Sequence, residues 1–387
     1  MAFDFIEAQL QQRKDDGLYR HMQITQGKQG RIIEIAGKSY INFSSNDYLG
    51  LAGSPELIKA WQKGAQLYGV GSGGSFLVTG YNNAHAALCE QLKSWLGIEA
   101  VALFSSGYSA NQAIIKLLLD KHSLLLQDKL NHASLMEAGS LSSTKMLRFK
   151  HNDINHLDAL LTKQQNPNSL IISEGVFSMD GDSAPIAGLI KQSKQHNSWL
   201  MIDDAHGLGV LGDNGKGSVV EAGFENKQLQ IYMATFGKAL GVGGALVAGS
   251  QSFIDYLTNF SKPYIYTTGL PPAMAYSISC AAQMAEHQHW RRDKLLALIA
   301  EFRRLAALQG IELGASQTAI QPLIIGDSKK ALHIAAQLKD RGFWVTAIRP
   351  PTVPKNTARL RITLSTHHEK QDIKNLINAI STILSEH

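Results

Sequence analysis

Two segments of this chain, Trp199-Leu-Met-Ile-Asp-Asp-Ala-His206 and Tyr232-Met-Ala-Thr-Phe-Gly-Lys238, set reactive groups just after a short apolar run. Runs of this kind read as buried strands. The carboxyl ends of neighbouring strands converge on the crevice where open α/β sheets bind ligands. One segment offers carboxylate and imidazole there; the other offers a hydroxyl and an amine. An amine set opposite a carboxylate suits pyridoxal phosphate, which needs a lysine for its Schiff base and an anion to keep its pyridine nitrogen protonated. Asp203 is the candidate anion and Lys238 the candidate lysine. Taken singly, a Lys after a Gly at a strand end is a solvated side chain, and Asp-Asp-Ala-His is a turn or, less often, part of a metal site. No second His or Cys lies at ligand spacing nearby, so no metal is expected. The two segments together favour the organic cofactor.

Further polar clusters follow other apolar runs. Ser105-Ser-Gly107-Tyr108-Ser-Ala-Asn111 comes after Ala100–Phe104 and opens a helix, where backbone N–H groups and the helix dipole suit a phosphate. Asn131-His132-Ala-Ser supplies an imidazole able to lie flat on a pyridine ring. Glu174-Gly-Val-Phe-Ser178-Met-Asp-Gly-Asp182 supplies a hydroxyl and several acids. Two decoys are set aside. Gly69-Val-Gly71-Ser-Gly-Gly74 matches a dinucleotide pattern but follows a helix, and the next strand lacks the ribose-binding acid. Phe236-Gly-Lys-Ala resembles the end of a phosphate loop, yet Ala239 stands where Ser or Thr is needed. The glycines at 69–74 instead let backbone pass close to a ligand or another chain.

The elements that must hold these clusters are legible as an alternation. Short apolar strands at Ala100–Phe104, Ser123–Gln127, Leu170–Ser173, Trp199–Ile202, Ile231–Ala234 and Ala245–Ala248 are separated by helical stretches. This predicts a mostly parallel sheet covered on both faces. Residues 3–20 read as an amphipathic helix and Lys38–Phe43 as a strand. A long helical stretch covers 284–309, and strands at Ala319–Ile325, Trp344–Ile348 and Ala358–Leu364 accompany helices at Lys329–Arg341 and the C-terminus. Three regions are expected: an N-terminal helix and arm over 1–50, a large domain over 51–284 and a small α/β domain over 285–387. At 387 residues, 44% hydrophobic and 18% charged, the chain has the composition of an ordinary globular enzyme. Its +5 charge is scattered and no basic run alternates with aromatics, so no nucleic acid is expected. Cys89 and Cys280 form no framework, no stretch approaches ~20 apolar residues, and Met-Ala-Phe-Asp-Phe-Ile-Glu is acidic where a secretory leader is basic. The expectation is a cytoplasmic protein with no membrane partner.

Taken together, Ser44-Ser-Asn-Asp-Tyr-Leu-Gly, Gly71-Ser-Gly-Gly-Ser, Asn131-His-Ala-Ser, Glu174-Gly-Val-Phe-Ser-Met-Asp-Gly-Asp, Asp203-Asp-Ala-His-Gly and Thr235-Phe-Gly-Lys resemble the α-oxoamine synthase family over nearly the whole chain. The resemblance implies the aspartate-aminotransferase (type I) fold, pyridoxal 5'-phosphate and a homodimer with shared active sites. Matched motif by motif, it implies that Lys238 carries the cofactor and Asp203 pairs with the pyridine nitrogen. His132 stacks on the ring, while His206 and Ser178 contact its phenolic oxygen. Gly107, Tyr108 and Thr235 lie at the phosphate and Schiff-base region, and Thr267 or Thr268 reaches the neighbouring subunit's phosphate. Arg361 clamps the amino-acid carboxylate as a bidentate fork with Asn46 assisting, and Arg20 meets the acyl substrate.

Within the family, Arg349-Pro-Pro-Thr352-Val-Pro, His151-Asn-Asp-Ile-Asn-His-Leu and Ala319-Ile-Gln-Pro-Leu-Ile most resemble the biotin-pathway branch, and place Thr352 at the substrate. The reaction implied condenses L-alanine with a pimeloyl thioester, carried by coenzyme A or by an acyl-carrier protein, releasing carbon dioxide and the thiol. The alternative is a sister reaction that joins glycine to an acetyl or succinyl thioester. An ordinary aminotransferase is disfavoured by Asn131-His-Ala-Ser and Gly71-Ser-Gly-Gly. A catalytically silent subunit is disfavoured by the presence of Lys238.

Overall fold

A computed structural model of the chain describes residues 2–164 and 166–386. Contacts divide it into two compact units: one of Asp47–Ser178 and Asp182–Asp293, the other of the residues up to Asn46, Met179–Gly181 and the chain from Lys294 onward.

The larger unit is built on seven strands: β1 (Ala100–Phe104), β2 (Leu124–Asp128), β3 (Lys145–Phe149), β4 (Ser169–Glu174), β5 (Trp199–Asp203), β6 (Ile231–Thr235) and β7 (Ala245–Gly249). Their order is β1-β7-β6-β5-β4-β2-β3, with β7 antiparallel to both neighbours and every other pair parallel. Six of the seven lie within a residue of the expected runs. Their apolar stretches are continuous because helices cover both faces of the sheet. The helix Gly107–Leu118 lays Ala110 and Ile114 in one core with Ile172, Met201, Met233 and Val247, all at most 2% exposed. Strand β3 was not expected. Its sequence, Lys-Met-Leu-Arg-Phe, belongs to an edge strand with charges at exposed positions, so it lacks the apolar run of its neighbours. The expected 284–309 helix is two, Pro272–His287 and His289–Leu308, broken at Gln288.

With this topology, β1, β2, β4, β5 and β6 all end on the same edge of the sheet. The loops after them carry Ser105–Tyr108, Asn131–Ser134, Gly175–Ser178, Asp204–His206 and Phe236–Lys238. The loop after β4 is braced from below. His151 meets Asp128 Oδ1 through Nδ1 at 3.0 Å and Asp182 Oδ2 through Nε2 at 2.7 Å, and its ring sits edge-on to Phe177, with centroids 4.4 Å apart.

In the smaller unit the residues before Asn46 are not a separate arm. Phe343–Trp344 pairs parallel with Ile41–Asn42 and extends the sheet of Thr25–Gln26, Ile32–Ile35 and Lys38–Asn42. Arg31 forks onto Asp372 with two 2.7 Å bonds. His368 stacks on Phe43 at 4.1 Å, accepts the Ser365 N–H at Nδ1 and donates from Nε2 to Asn42 O. Ile320–Gly326, Ala358–Thr363 and Thr346–Ile348 form a second, antiparallel sheet. The helix expected at 3–20 is shorter, Phe5–Asp15, and buries none of its residues within the chain. Among the described residues no helix is long and apolar enough to cross a membrane.

The His151 brace is testable through pH. Burial alone would lower the imidazole, but the hydrogen bonds and charges of Asp128 and Asp182 outweigh it and push it up from 6.5 to about 10. A raised folded-state value means that the stabilisation is complete below pH 6.5 and is lost as pH rises through about 10. The thermal stability deficit of His151→Gln is therefore largest in neutral and mildly acidic buffer and shrinks toward pH 10, as paired melting curves across that range would show.

Candidate active site

The side chains at the carboxyl edge of the larger unit form two hydrogen-bonded chains. Asp203, 4% exposed at the end of β5, accepts the Ala205 N–H at Oδ1 (3.1 Å) and the Asn111 amide at Oδ2 (2.8 Å). The same Asn111 Nδ2 donates to Ser134 Oγ at 2.9 Å. The Ser134 N–H donates to His132 Nδ1 at 3.2 Å, which makes that nitrogen an acceptor, and the Ser134 hydroxyl, 2.8 Å away, turns its proton to the same nitrogen. The neutral His132 ring therefore carries its proton on Nε2. Packing around that ring disfavours the charged form. Asp203 opposes this shift and Lys238 reinforces it, leaving the imidazole below its ordinary value.

A second chain runs through the lysine. Lys238, in the turn after β6, brings Nζ to 2.7 Å from His206 Nε2, and His206 Nδ1 lies 2.7 Å from Tyr48 Oη. A protonated Nζ donates to Nε2, which puts the imidazole proton on Nδ1 facing the tyrosine. The turn itself is tied by Thr235, whose hydroxyl donates to Gly244 O at 2.8 Å and accepts the Gly237 N–H at 3.3 Å.

Asp204, one residue on from Asp203, belongs to the opposite side. It is fully buried, and its Oδ2 accepts the Ser218 N–H at 2.8 Å and the Tyr232 hydroxyl at 2.9 Å. Gly207 and Gly217 pass so close that a Cβ on either would collide with this carboxylate. Burial pushes Asp204 up to about 6.

The helix Gly107–Leu118 starts at the same edge, capped by Ser106 Oγ, which accepts the Ser109 N–H at 3.1 Å. Gly107 faces Met233 and Thr235 across ordinary contact distances. Tyr108 is half exposed and donates its hydroxyl proton to Glu137. Ser105 and Ser109 line a small crevice with Tyr264, Thr267 and Thr268. The segment bearing these threonines is held to the glycine-rich run: Ser72 Oγ donates to Gly269 O, Gly269 N–H donates to Gly74 O, and Ser75 bridges Thr268. Ser178, 7% exposed, gives its N–H to Glu174 Oε2.

The donor set fits pyridoxal phosphate. A helix start flanked by serines suits the phosphate, a buried carboxylate held by an amide suits a protonated ring nitrogen, and a reachable primary amine suits the carbonyl. Lys238, Asp203, His132, His206, Ser178, Thr235, Gly107 and Tyr108 all lie in this unit, at or next to that edge. Tyr48, Asn111 and Glu174 join them without having been singled out. All three stand inside quoted motifs, but only the fold shows what they touch.

The remaining expected residues lie in the smaller unit. Arg361, 7% exposed on the strand Ala358–Thr363, turns both terminal nitrogens onto Asn46 Oδ1 at 3.2 Å. Arg20 is exposed and donates to Thr352 Oγ1 at 3.1 Å. Arg349 donates to Gly17 O, and burial together with the neighbouring Arg20 charge lowers its basicity. Among the described residues neither Arg20 nor Arg349 has an acidic partner.

Comparison with known proteins agrees with this geometry. The family described as aminotransferase class I and II matches residues 38–380. The chain is 51% identical over 374 residues to 8-amino-7-oxononanoate synthase of Aeromonas salmonicida, covering 96% of this chain and 93% of that protein. It is 48% identical over 380 residues to the Vibrio parahaemolyticus protein of the same name, covering 98% and 97%. A solved serine palmitoyltransferase from S. paucimobilis with a bound PLP–myriocin aldimine superposes with a TM-score of 0.93 at 26% identity, covering 99% of this chain and 98% of that one. The crystal structure of 8-amino-7-oxononanoate synthase from Francisella tularensis gives 0.79 at 28% identity, covering 90% and 98%.

The adjacent aspartates separate chemistry from folding. Asp203→Asn should retain the wild-type melting temperature while turnover falls by roughly 10²-fold or more, the scale of losing one preorganised charge in a site. Asp204→Ala should instead cost about 1–3 kcal/mol of stability by orphaning the Ser218 and Tyr232 donors. Melting curves and steady-state assays on the two variants measure both quantities.

Proposed function

Since the chain belongs to the aminotransferase class I and II family and is about half identical, nearly end to end, to 8-amino-7-oxononanoate synthases, we propose that it condenses L-alanine with a pimeloyl thioester. The products are 8-amino-7-oxononanoate for biotin synthesis, carbon dioxide and the free thiol carrier. The observation that carries this reading is the pair of networks at one sheet edge, Lys238–His206–Tyr48 and Asp203–Asn111–Ser134–His132, in a chain matched over nearly its whole length by enzymes of that name.

Pyridoxal phosphate, when bound, supplies an electron sink conjugated to the amino acid's Cα. Lys238 is the residue that carries it. As a free amine, Nζ would take the Cα proton, and His206, itself set by Tyr48, orients that amine. Asp203 holds the ring nitrogen charged, and Asn111 fixes the carboxylate that does so. His132 would stack on the cofactor's ring, leaving its Nε2 proton available to the thioester carbonyl. Gly107, Tyr108 and Thr235 serve the phosphate side, and Ser178 with His206 the phenolic oxygen. Arg361, with Asn46, takes the alanine carboxylate. Arg20, beside Thr352 and crowded by a second cation without an acid to neutralise it, takes the distal carboxylate of the pimeloyl chain.

The working form is a homodimer with shared sites. Val70, Val78 and Tyr266 are 81%, 77% and 79% exposed on the two mutually paired segments that also carry Thr267 and Thr268. Apolar exposure of this density suits a second copy of the chain. Both cysteines are free thiols, in keeping with a reducing compartment such as the cytoplasm.

Two measurements test the reading. Purified protein should turn over alanine with pimeloyl thioesters and lose all activity as Lys238→Ala or Lys238→Arg, the latter because a guanidinium cannot form the imine. Alanine should be preferred to glycine by roughly 10–200-fold, the worth of one methyl in an apolar pocket. Faster turnover of glycine with acetyl or succinyl donors would assign the sister reaction, and parallel assays with coenzyme A and acyl-carrier-protein donors identify the carrier. For the shared site, mixed dimers of Lys238→Ala and Thr267→Ala/Thr268→Ala subunits should regain activity, since one composite site escapes both changes. Failure to regain it argues for sites completed within one chain.

A further inference from the structure

One buried acid of the cluster has no part in the reaction as derived above. Glu174 closes β4 in register with Asp203 at the end of β5, so the two side chains leave the sheet on the same side. It is 3% exposed. Its main-chain N–H donates to Asn131 Oδ1 at 3.2 Å. Its Oε2 accepts the Ser178 N–H at 3.2 Å, and the His132 main-chain N–H faces the same carboxyl group and favours its charged form. Glu174 thereby ties the loop carrying His132 to the loop carrying Ser178. The other oxygen, Oε1, is equally buried and has no partner among the described residues.

Such an atom is costly unless something arrives to satisfy it. The charged groups acting on it are Asp203 from β5 and Lys238 from the turn after β6, and the titratable but neutral His132 precedes the helix Ala133–Leu141, its main-chain N–H facing the same carboxyl. Two carboxylates this close, both out of water, do not both hold their charge. Asp203 has the Asn111 amide and the Ala205 N–H to stabilise its anion, while Glu174 has a bare oxygen.

We propose that Glu174 is a further cofactor-binding residue that works as a carboxylic acid, Oε2 accepting the Ser178 N–H while Oε1 carries a proton and donates it in a hydrogen bond to bound pyridoxal phosphate. Burial first, and the Asp203 charge second, raise this carboxyl well above the ordinary range, with Lys238 and the two N–H groups only partly opposing them. An anion at Glu174 would set a second negative charge beside Asp203 and compete for the role of neutralising the ring nitrogen. A neutral acid adds a donor without changing the charge that tunes the ring.

The inference rests on the cofactor assignment above, and three forms of the full-length protein separate the two. Difference infrared spectra of apoprotein at neutral pH, wild type minus Glu174→Gln, should contain the carbonyl stretch of a protonated carboxylic acid, and that band should shift when pyridoxal phosphate is added. The dissociation constant for pyridoxal phosphate, from titration of its absorbance, should change by less than about threefold in Glu174→Gln, whose amide both accepts and donates. It should weaken by roughly tenfold or more in Glu174→Ala, the scale of losing a buried hydrogen-bond donor. Circular dichroism confirms that each variant is folded, and the infrared band decides the question even if the alanine variant is not. No acid band, a band that pyridoxal phosphate leaves unmoved, or a Gln variant as impaired as Ala would overturn the proposal. Failure of the wild type itself to bind pyridoxal phosphate would overturn the cofactor assignment instead.

Discussion

Asn111 donates from one buried amide nitrogen to two acceptors, Asp203 Oδ2 at 2.8 Å and Ser134 Oγ at 2.9 Å, and the order of the reactive cluster follows from that fork. The donation to Asp203 orients a carboxylate that burial would otherwise leave costly. The donation to Ser134 orients a hydroxyl whose proton, together with the Ser134 N–H, faces His132 Nδ1 and leaves the ring proton on Nε2. A single residue thus links a buried carboxylate to an imidazole of fixed tautomer. The amide has one workable orientation, because turning it over would set its oxygen against the carboxylate.

That fork is possible because of where the sheet ends. Five strands running the same way bring their last residues to one edge, and the helix beginning at Gly107 enters along it, placing Asn111 one turn in. The pleat then divides neighbouring residues. Asp203 faces the cluster, while Asp204 turns to Ser218 and Tyr232 in a cavity that Gly207 and Gly217 leave open. Two identical side chains in sequence therefore carry unrelated duties, one electrostatic and one structural.

The smaller unit works by a different economy of charge. Arg361 is buried and held by Asn46, so its fork is preset for a planar carboxylate. Arg20 and Arg349 lie near each other with no acidic partner among the described residues, which leaves positive potential at that end. One cation is fixed in geometry and the other pair is not.

Local pattern determined a good deal by itself. Continuous apolar runs marked six of the seven strands of the large sheet, because a buried parallel strand needs an apolar run, and the polar residues where those runs stop, Lys238, Asp203, His132 and His206 among them, come to one edge of the sheet. The edge strand Lys145–Phe149 escaped, since exposure to solvent lets it carry charges and erases the signal. The N-terminal residues looked like an arm because their partners, Phe343–Trp344 and Asp372, lie some three hundred residues away. Only the tertiary structure decided the roles of Tyr48, Asn111 and Glu174. Tyr48 meets His206 across 158 residues, Asn111 meets Asp203 across 92, and Glu174 gains its meaning from the register of β4 on β5. Periodicity reports which residues are buried and where a strand stops. Which buried polar atoms then satisfy one another depends on chain segments that come together only when the sheet has formed, and no local pattern encodes that pairing.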